Sequence, residues 1–234
     1  MKKFKLATIA LALTASVLVL GGCGSSAPAA TDKTSGADLK LSQGVGQTSV
    51  FRAKVDKTTK QESYSTNYVT ASAIFDQNDK IVSVQFDILE IAQASKKEGA
   101  TLFPGWPSAE IKKDDVVTAV ANWKTKRERG DAAYGMNWTE QVDSYQELFK
   151  GKTVAEVEQW FAKNTSDLNG TPLVSDSEKP EDQAKFAKLT DEEKTALADV
   201  TSGASISLKD DHGDFIGALK EAFENKIEVT MPAK

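Results

Sequence analysis

Two apolar-patterned runs, residues 67–75 and 81–91, flank the polar pentapeptide Asp76-Gln77-Asn78-Asp79-Lys80. This arrangement constrains the fold more than any other stretch. From Val82 onward, Val82, Val84, Phe86 and Ile88 alternate with Ser83, Gln85 and Asp87. A period of two puts alternate side chains on opposite faces of a strand, and Asp/Asn clusters between such runs form turns. The reading is a β-hairpin with one buried face. Residues 49–55 read as a further strand, and Val50, Val55, Tyr68, Val69, Ile74 and Phe75 are candidate core or sheet residues.

Helical spacing takes over later. Trp138, Val142, Tyr145 and Leu148 or Phe149 recur at three- and four-residue steps, predicting a helix over 137–149. Gly151-Lys152-Thr153 stops it. Thr153 with Glu156, and Thr190 with Glu193, have capping-box spacing and predict helices over 154–163 and from 190 through Leu197. Phe215, Ile216, Leu219, Ala222 and Phe223 predict a helix within 209–224, with Asp210, Asp211 and Asp214 in its first turns. Residues 165–180 read as a surface loop, and Pro104, Gly105 and Pro107 around Trp106 as a rigid turn.

The chain opens with a basic stretch, Met1 to Lys5, then an apolar run over 6–20 ending in Leu20-Gly21-Gly22-Cys23. The run has the length of a secretory leader and is shorter than the roughly 20 residues of a membrane-spanning helix. Its end resembles a bacterial lipobox, which implies lipidation at Cys23 by two acyl chains and anchoring at the extracellular face of the cell membrane. A plain secreted protein with an unused thiol is the alternative. Residues 1–22 are then the leader, 23–46 the lipidated Cys and a flexible tether, and 47–234 a single domain. A tether of this Ser/Ala/Gly-rich composition averages about 25 Å end to end.

Cys23 is the single cysteine and His212 the single histidine. An intramolecular disulfide, an iron–sulfur cluster and zinc sites built from several Cys or two His are thereby excluded. A Ser-His-Asp triad could form only through His212. The formal net charge is −5, and loss of Lys2, Lys3 and Lys5 with the leader makes it more negative. An acidic chain of this kind argues against nucleic acid as a partner.

Asp199-Val200-Thr201-Ser202-Gly203-Ala204-Ser205 gathers three hydroxyls, an acid and a small-residue pair in seven positions. Read bare, it is a loop. The Gly203-Ala204 pair also leaves the Ser205 oxygen open to a modifying enzyme, and Thr201, Ser202 and nearby amides can hold a phosphate. The segment resembles the signature of FMN-binding domains, in which a Mg-dependent FMN transferase joins the flavin through a phosphoester to the last hydroxyl. The resemblance implies covalent FMN at Ser205, with Asp199, Thr201, Ser202, Gly203 and Ala204 around it. The family more often has Thr at the acceptor position. Lys80-Ile81-Val82-Ser83-Val84 occupies the place of a recurrent strand of the same family.

Lys124, Lys126, Arg127 and Arg129 form a basic cluster in an otherwise acidic chain. A solvated loop is one reading. The segment from Lys126 through Tyr134 to Met136 also resembles one in Gram-positive extracellular-electron-transfer flavolipoproteins, which implies that Arg127, Arg129, Tyr134 and Met136 lie near the flavin. Trp106 and Trp138 are the candidate stacking residues. The fold implied is α+β, an antiparallel sheet flanked by helices. The function implied is a relay of electrons from a membrane NADH dehydrogenase or quinone pool to ferric iron or soluble shuttles. The rivals are a non-redox surface lipoprotein, either solute-binding or adhesive, and a flavin enzyme with its own small substrate.

Overall fold

The computed structural model describes residues 40–60, 62–92, 117–118, 120–121, 123–133 and 136–229. The leader, Cys23, most of the expected tether, the turn at Trp106 and Tyr134 lie outside the described residues. In chain order the elements are β1 (Leu41–Val55), β2 (Glu62–Phe75), β3 (Ile81–Ala92), α1 (Lys126–Arg129), a 3-10 turn (Asp131–Ala133), α2 (Trp138–Phe149), α3 (Val154–Asn164), α4 (Pro180–Phe186), α5 (Asp191–Gly203), β4 (Lys209–Asp210), β5 (Gly213–Asp214), α6 (Phe215–Glu224) and β6 (Ile227–Val229). The class is α+β. Strands in the order β3-β2-β1-β6 make one antiparallel sheet with helices packed on its inner face, and β4-β5 form a small separate hairpin.

The predicted hairpin is β2–β3. Asp76 closes it: its Oδ1 accepts from the amides of Asn78 at 2.8 Å and Lys80 at 2.9 Å, while Asp79 takes φ 61°. Those two amide bonds hold the Asp76 carboxyl below its ordinary range. The inward side chains are Val69, Ala71, Ala73 and Phe75 from β2 and Ile81, Val84, Phe86 and Ile88 from β3. Two expected core residues face out instead: Ile74 and Val82 are exposed. A register shift pairs Ile74 with Ser83 but Phe75 with Ile81. The extra residue, Val82, is pushed to the surface so that Ile81 and Val84 both point inward, as a β-bulge does.

Strand β1 begins at Leu41, inside the stretch expected to be tether. Its small residues have a packing reason. A Cβ on Gly44 would lie 1.8 Å from the Ala222 carbonyl oxygen, and one on Gly46 2.1 Å from that of Ala218. The glycines therefore let α6 lie directly on the sheet, and what reads as linker composition is a close backbone approach. Val55, another expected core residue, is exposed.

Helix α2 buries Trp138, Val142, Tyr145 and Phe149, the predicted stripe. Phe86 meets Phe149 and Phe215 edge-on, with ring centroids 6.3 and 5.3 Å apart. Both predicted capping boxes form, at Thr153/Glu156 and Thr190/Glu193. The 165–179 segment is only partly a surface loop. Thr165, Ser166 and Leu173 are buried, and Thr165 bridges Pro172.

Two boundaries near the signature differ from expectation. Helix α5 runs past Leu197 to Gly203, so Asp199 to Gly203 is its last turn rather than a loop. Residues 209–214 form the β4–β5 hairpin rather than the start of a helix, and α6 begins only at Phe215, capped by Asp214. Thr201 and Ser202 have low helix propensity, yet their hydroxyls bond back to the carbonyls of Ala198 and Asp199, three residues earlier, which satisfies them within the helix.

Candidate functional site

The end of α5 divides the signature between two surfaces. Asp199, Val200 and Gly203 face Ser144, Glu147 and Leu148 of α2 in a shallow hollow. Ala204 is buried and caps the helix, its amide bonding Val200 O at 2.8 Å. The chain then turns, and Ser205 lies exposed at the rim of a different cleft. Thr201 and Ser202 do not line that cleft, and their hydroxyls are engaged in their own helix.

Gln141 of α2 holds this turn. Its Oε1 accepts from the amides of Ser205 at 2.9 Å and Ile206 at 3.1 Å and from the Ser205 hydroxyl at 3.3 Å. Its Nε2 donates to Met136 O at 2.6 Å, and the buried Tyr145 hydroxyl donates to Ile206 O at 2.8 Å. Burial pushes the Tyr145 phenol far up, so it remains a neutral donor. The Ser205 hydroxyl thus bonds Gln141, and among the described residues it has no hydrogen bond to His212.

The cleft has a volume of about 580 Å³, within the roughly 300–1,000 Å³ of small-molecule sites. Ile88, Met136, Trp138, Ile206 and Phe215 give it apolar walls, while Arg52, Glu90, Lys126 and Asp210 bring charge and His212 an imidazole. Lys126 is the unusual member. It is 6 % exposed, its ammonium lies 5.6 Å from the centre of the Trp138 ring, and burial lowers its affinity for the proton. A second hollow of the same size, on the outer face of the sheet near Val45, Ile74 and Ile227, has no charged side chain.

The basic segment is ordered by its own capping box, Thr125 with Glu128. The expected residues do not all face the cleft. Arg127 donates to Phe86 O at 2.6 Å, Asp143 at 2.7 Å and Gln146 at 2.8 Å, tying α1 to β3 and α2. Arg129 reaches Lys124 O and Glu90 O. Neither lines the cleft, whereas Lys126 and Met136 of the same segment do. A four-residue helix puts Lys126 on one side and Arg127 on the other, and a charge count cannot distinguish them. Of the candidate stacking residues, Trp138 lines the cleft.

Sequence reasoning missed Arg52, Glu90 and Asp210 as cleft residues, and placed His212 within a helix rather than on the β4–β5 hairpin. The signal available was the polarity of β1 and β3 at positions whose period faces inward.

The chain is similar to a reductase. A protein named chlorophenol reductase, from Desulfitobacterium hafniense, is 44 % identical to it over 206 residues. The match takes in 81 % of this chain and 59 % of that protein, so the chain spans about three-fifths of its relative's length. No protein-family model matches the chain. No solved structure matches it either.

Proposed function

We propose that this chain is a redox flavoprotein. Lipidated at Cys23 and held at the extracellular face of the cell membrane, it carries FMN joined by a phosphoester to Ser205. It relays electrons from a membrane NADH dehydrogenase or quinone pool to extracellular acceptors such as ferric iron. The observation that carries the reading is the exposure of Ser205 in a cleft that also holds Lys126, Arg52, Trp138 and Phe215. The similarity to a reductase supports a redox role.

The residues present fit the group. A hydroxyl stands at the rim, flat apolar walls suit an aromatic ring system, and buried positive charge suits an anion. Bound FMN supplies an acceptor that takes and returns electrons. The protein's own residues do the rest. Gln141 Oε1 accepts from three atoms of the Ser205 turn, so the attachment point is held in place before modification. Lys126 places positive charge in a low-dielectric wall, where it favours added negative charge more than it would in water. Trp138 and Phe215 limit water on that side.

Co-expression with an FMN transferase and magnesium tests the attachment. The intact mass should rise by FMN less one water, and flavin fluorescence should survive denaturing electrophoresis. Ser205→Ala should lose both and Ser205→Thr should keep both, while Thr201→Ala and Ser202→Ala should remain labelled. A wild-type chain that gains no mass removes the covalent assignment, and one that also binds no free FMN leaves a non-redox surface lipoprotein as the better reading.

A second reading rests on the name of the relative: the same site reduces a small phenolic acceptor instead of passing electrons to iron. Steady-state oxidation of the reduced protein by a chlorophenol, compared with ferric citrate, separates the two.

A further inference from the structure

The β4–β5 hairpin fixes the one histidine of the chain at the cleft that holds Ser205. His212 Nδ1 lies 3.1 Å from Asp210 Oδ2 and 3.0 Å from Asp211 Oδ1. Two carboxylates on one ring nitrogen require that nitrogen to carry the proton. Both carboxylates are themselves held. Asp210 Oδ1 accepts the His212 amide at 2.7 Å, and Asp211 Oδ2 accepts from Arg52 Nε at 2.9 Å.

The turn is pinned to the sheet from below. Asn67 Nδ2, fully buried in β2, donates to Asp211 O at 3.1 Å. A Cβ on Gly213, the residue after His212, would come within 2.6 Å of Val69 and 3.3 Å of Ile88. Only glycine lets the hairpin sit this low. Thr48 and Lys209 hold its far end, the first through Asp214 O at 2.7 Å and the second by an ion pair with the Asp214 carboxylate at 3.0 Å. This is far more anchoring than a surface turn needs, and its effect is to fix the orientation of one imidazole.

We propose that His212 is the proton donor of the cleft, with Nε2 delivering the proton taken up when the cofactor is reduced and Asp210 and Asp211 holding the ring in the Nδ1–H form. This rests on the flavin reading above. The balance is simple: two electrons arrive from a quinol or dehydrogenase donor, one proton leaves Nε2 for a flavin ring nitrogen, and the imidazole regains a proton from water. Histidine suits the task because its ordinary range brackets neutral pH. The charged groups facing it are Asp210 and Asp211 on its own hairpin, Arg52 on β1, Glu90 on β3 and Lys126 on α1. The same three hairpin side chains have ligand atoms within 4.8 Å of one another, the spacing of a cation site. A cation there would have to displace the Nδ1 proton, so the hydrogen-bonded reading is the one the geometry favours.

The test uses the full chain, labelled with FMN as above, with intact mass recorded first. In wild type, the slope of midpoint potential against pH should steepen between the points where His212 titrates in the oxidised and reduced chains. Those points are read from its imidazole resonance, unambiguous with a single histidine. In labelled His212→Gln that steepening should vanish, and the rate of reduction by a soluble quinol should fall about a hundredfold, the low end for loss of a positioned proton donor. In labelled His212→Ala, added imidazole should restore part of that rate. Nitrogen NMR of the neutral ring should show the Nδ1–H form, and Asp210→Asn together with Asp211→Asn should shift it toward Nε2–H. An unchanged slope and rate in labelled His212→Gln, or an Nε2–H ring in wild type, overturns the role of His212 alone. A wild-type chain that gains no FMN mass overturns the flavin reading, and this proposal with it.

Discussion

The inner face of the four-stranded sheet has two ends that behave differently. Toward the β2–β3 turn, Val69, Ala71, Ala73, Phe75, Ile81, Val84 and Phe86 are all buried and apolar, and Phe75 meets the Phe223 ring edge-on at 5.3 Å. Toward the cleft, the same strands turn inward Arg52, Ser65, Asn67 and Glu90, with Lys126 packed over them. Asn67 is fully buried, and its Oδ1 has no hydrogen-bond partner among the described residues. Such an atom costs about 1–3 kcal/mol, and the buried charge of Lys126 adds to that. One end of the sheet is arranged for stability and the other gives up stability for polar groups in a cleft, the usual position of a functional site.

Substitutions at the two ends should therefore differ in kind. The largest effect belongs to the apolar end. Phe86→Ala should cost about 3–5 kcal/mol, as truncation of a buried Phe does, lowering the urea midpoint with little change in the slope. Its folded fraction should still label at Ser205. A loss below 1 kcal/mol would mean that the aromatic cluster is not the core it looks like.

Lys126→Met should act with the opposite sign. Because burial depresses its affinity for the proton, the unfolded chain binds that proton more tightly. The penalty is complete below the lowered folded value and fades as pH rises from there to the ordinary 10.5. The variant should unfold at a higher temperature than wild type at pH 7 and lose that advantage in alkali. In the labelled protein the same change should lower the midpoint potential, because positive charge near the ring is gone. Arg127→Gln, by contrast, should lower stability and leave the potential nearly unchanged, since that guanidinium is committed to Phe86, Asp143 and Gln146. A potential that follows Arg127 rather than Lys126 would reverse this assignment.

Smaller again is an acid-side effect. Asp131 accepts the Thr139 amide at 2.6 Å, which holds its carboxyl below the ordinary 3.8. Its contribution is complete above 3.8 and disappears as pH falls through the lowered folded value. Asp131→Asn should remove that share of the acid sensitivity in thermal melts recorded from pH 5 to 2, and identical profiles would count against it. Least of all in stability is Ser205→Ala, expected within about 0.5 kcal/mol of wild type because the side chain is exposed, while covalent flavin is lost entirely. Calorimetry and intact mass on one preparation would show whether stability and labelling separate in this way.

What the amino-acid sequence determined by itself was local. The β2–β3 hairpin, the α2 stripe from Trp138 to Phe149 and two capping boxes depend on residues a few positions apart, so period and turn chemistry were enough to find them. The Ser205 turn was legible as an unusual cluster of small and hydroxyl residues. What it faces was not, because Arg52, Glu90, Lys126, Ser205 and His212 come from five separate parts of the chain. Only packing decided that Gly44 and Gly46 belong to a strand under α6, that Val82 is bulged outward, and that Thr201 and Ser202 finish a helix. Each of these follows from a contact with a distant element or a back-bond to a carbonyl that propensity does not count. Tertiary structure likewise turned an Asp-Asp-His triplet, ordinary in an acidic chain, into a held imidazole, because Asn67 and Gly213 seat the hairpin against the sheet.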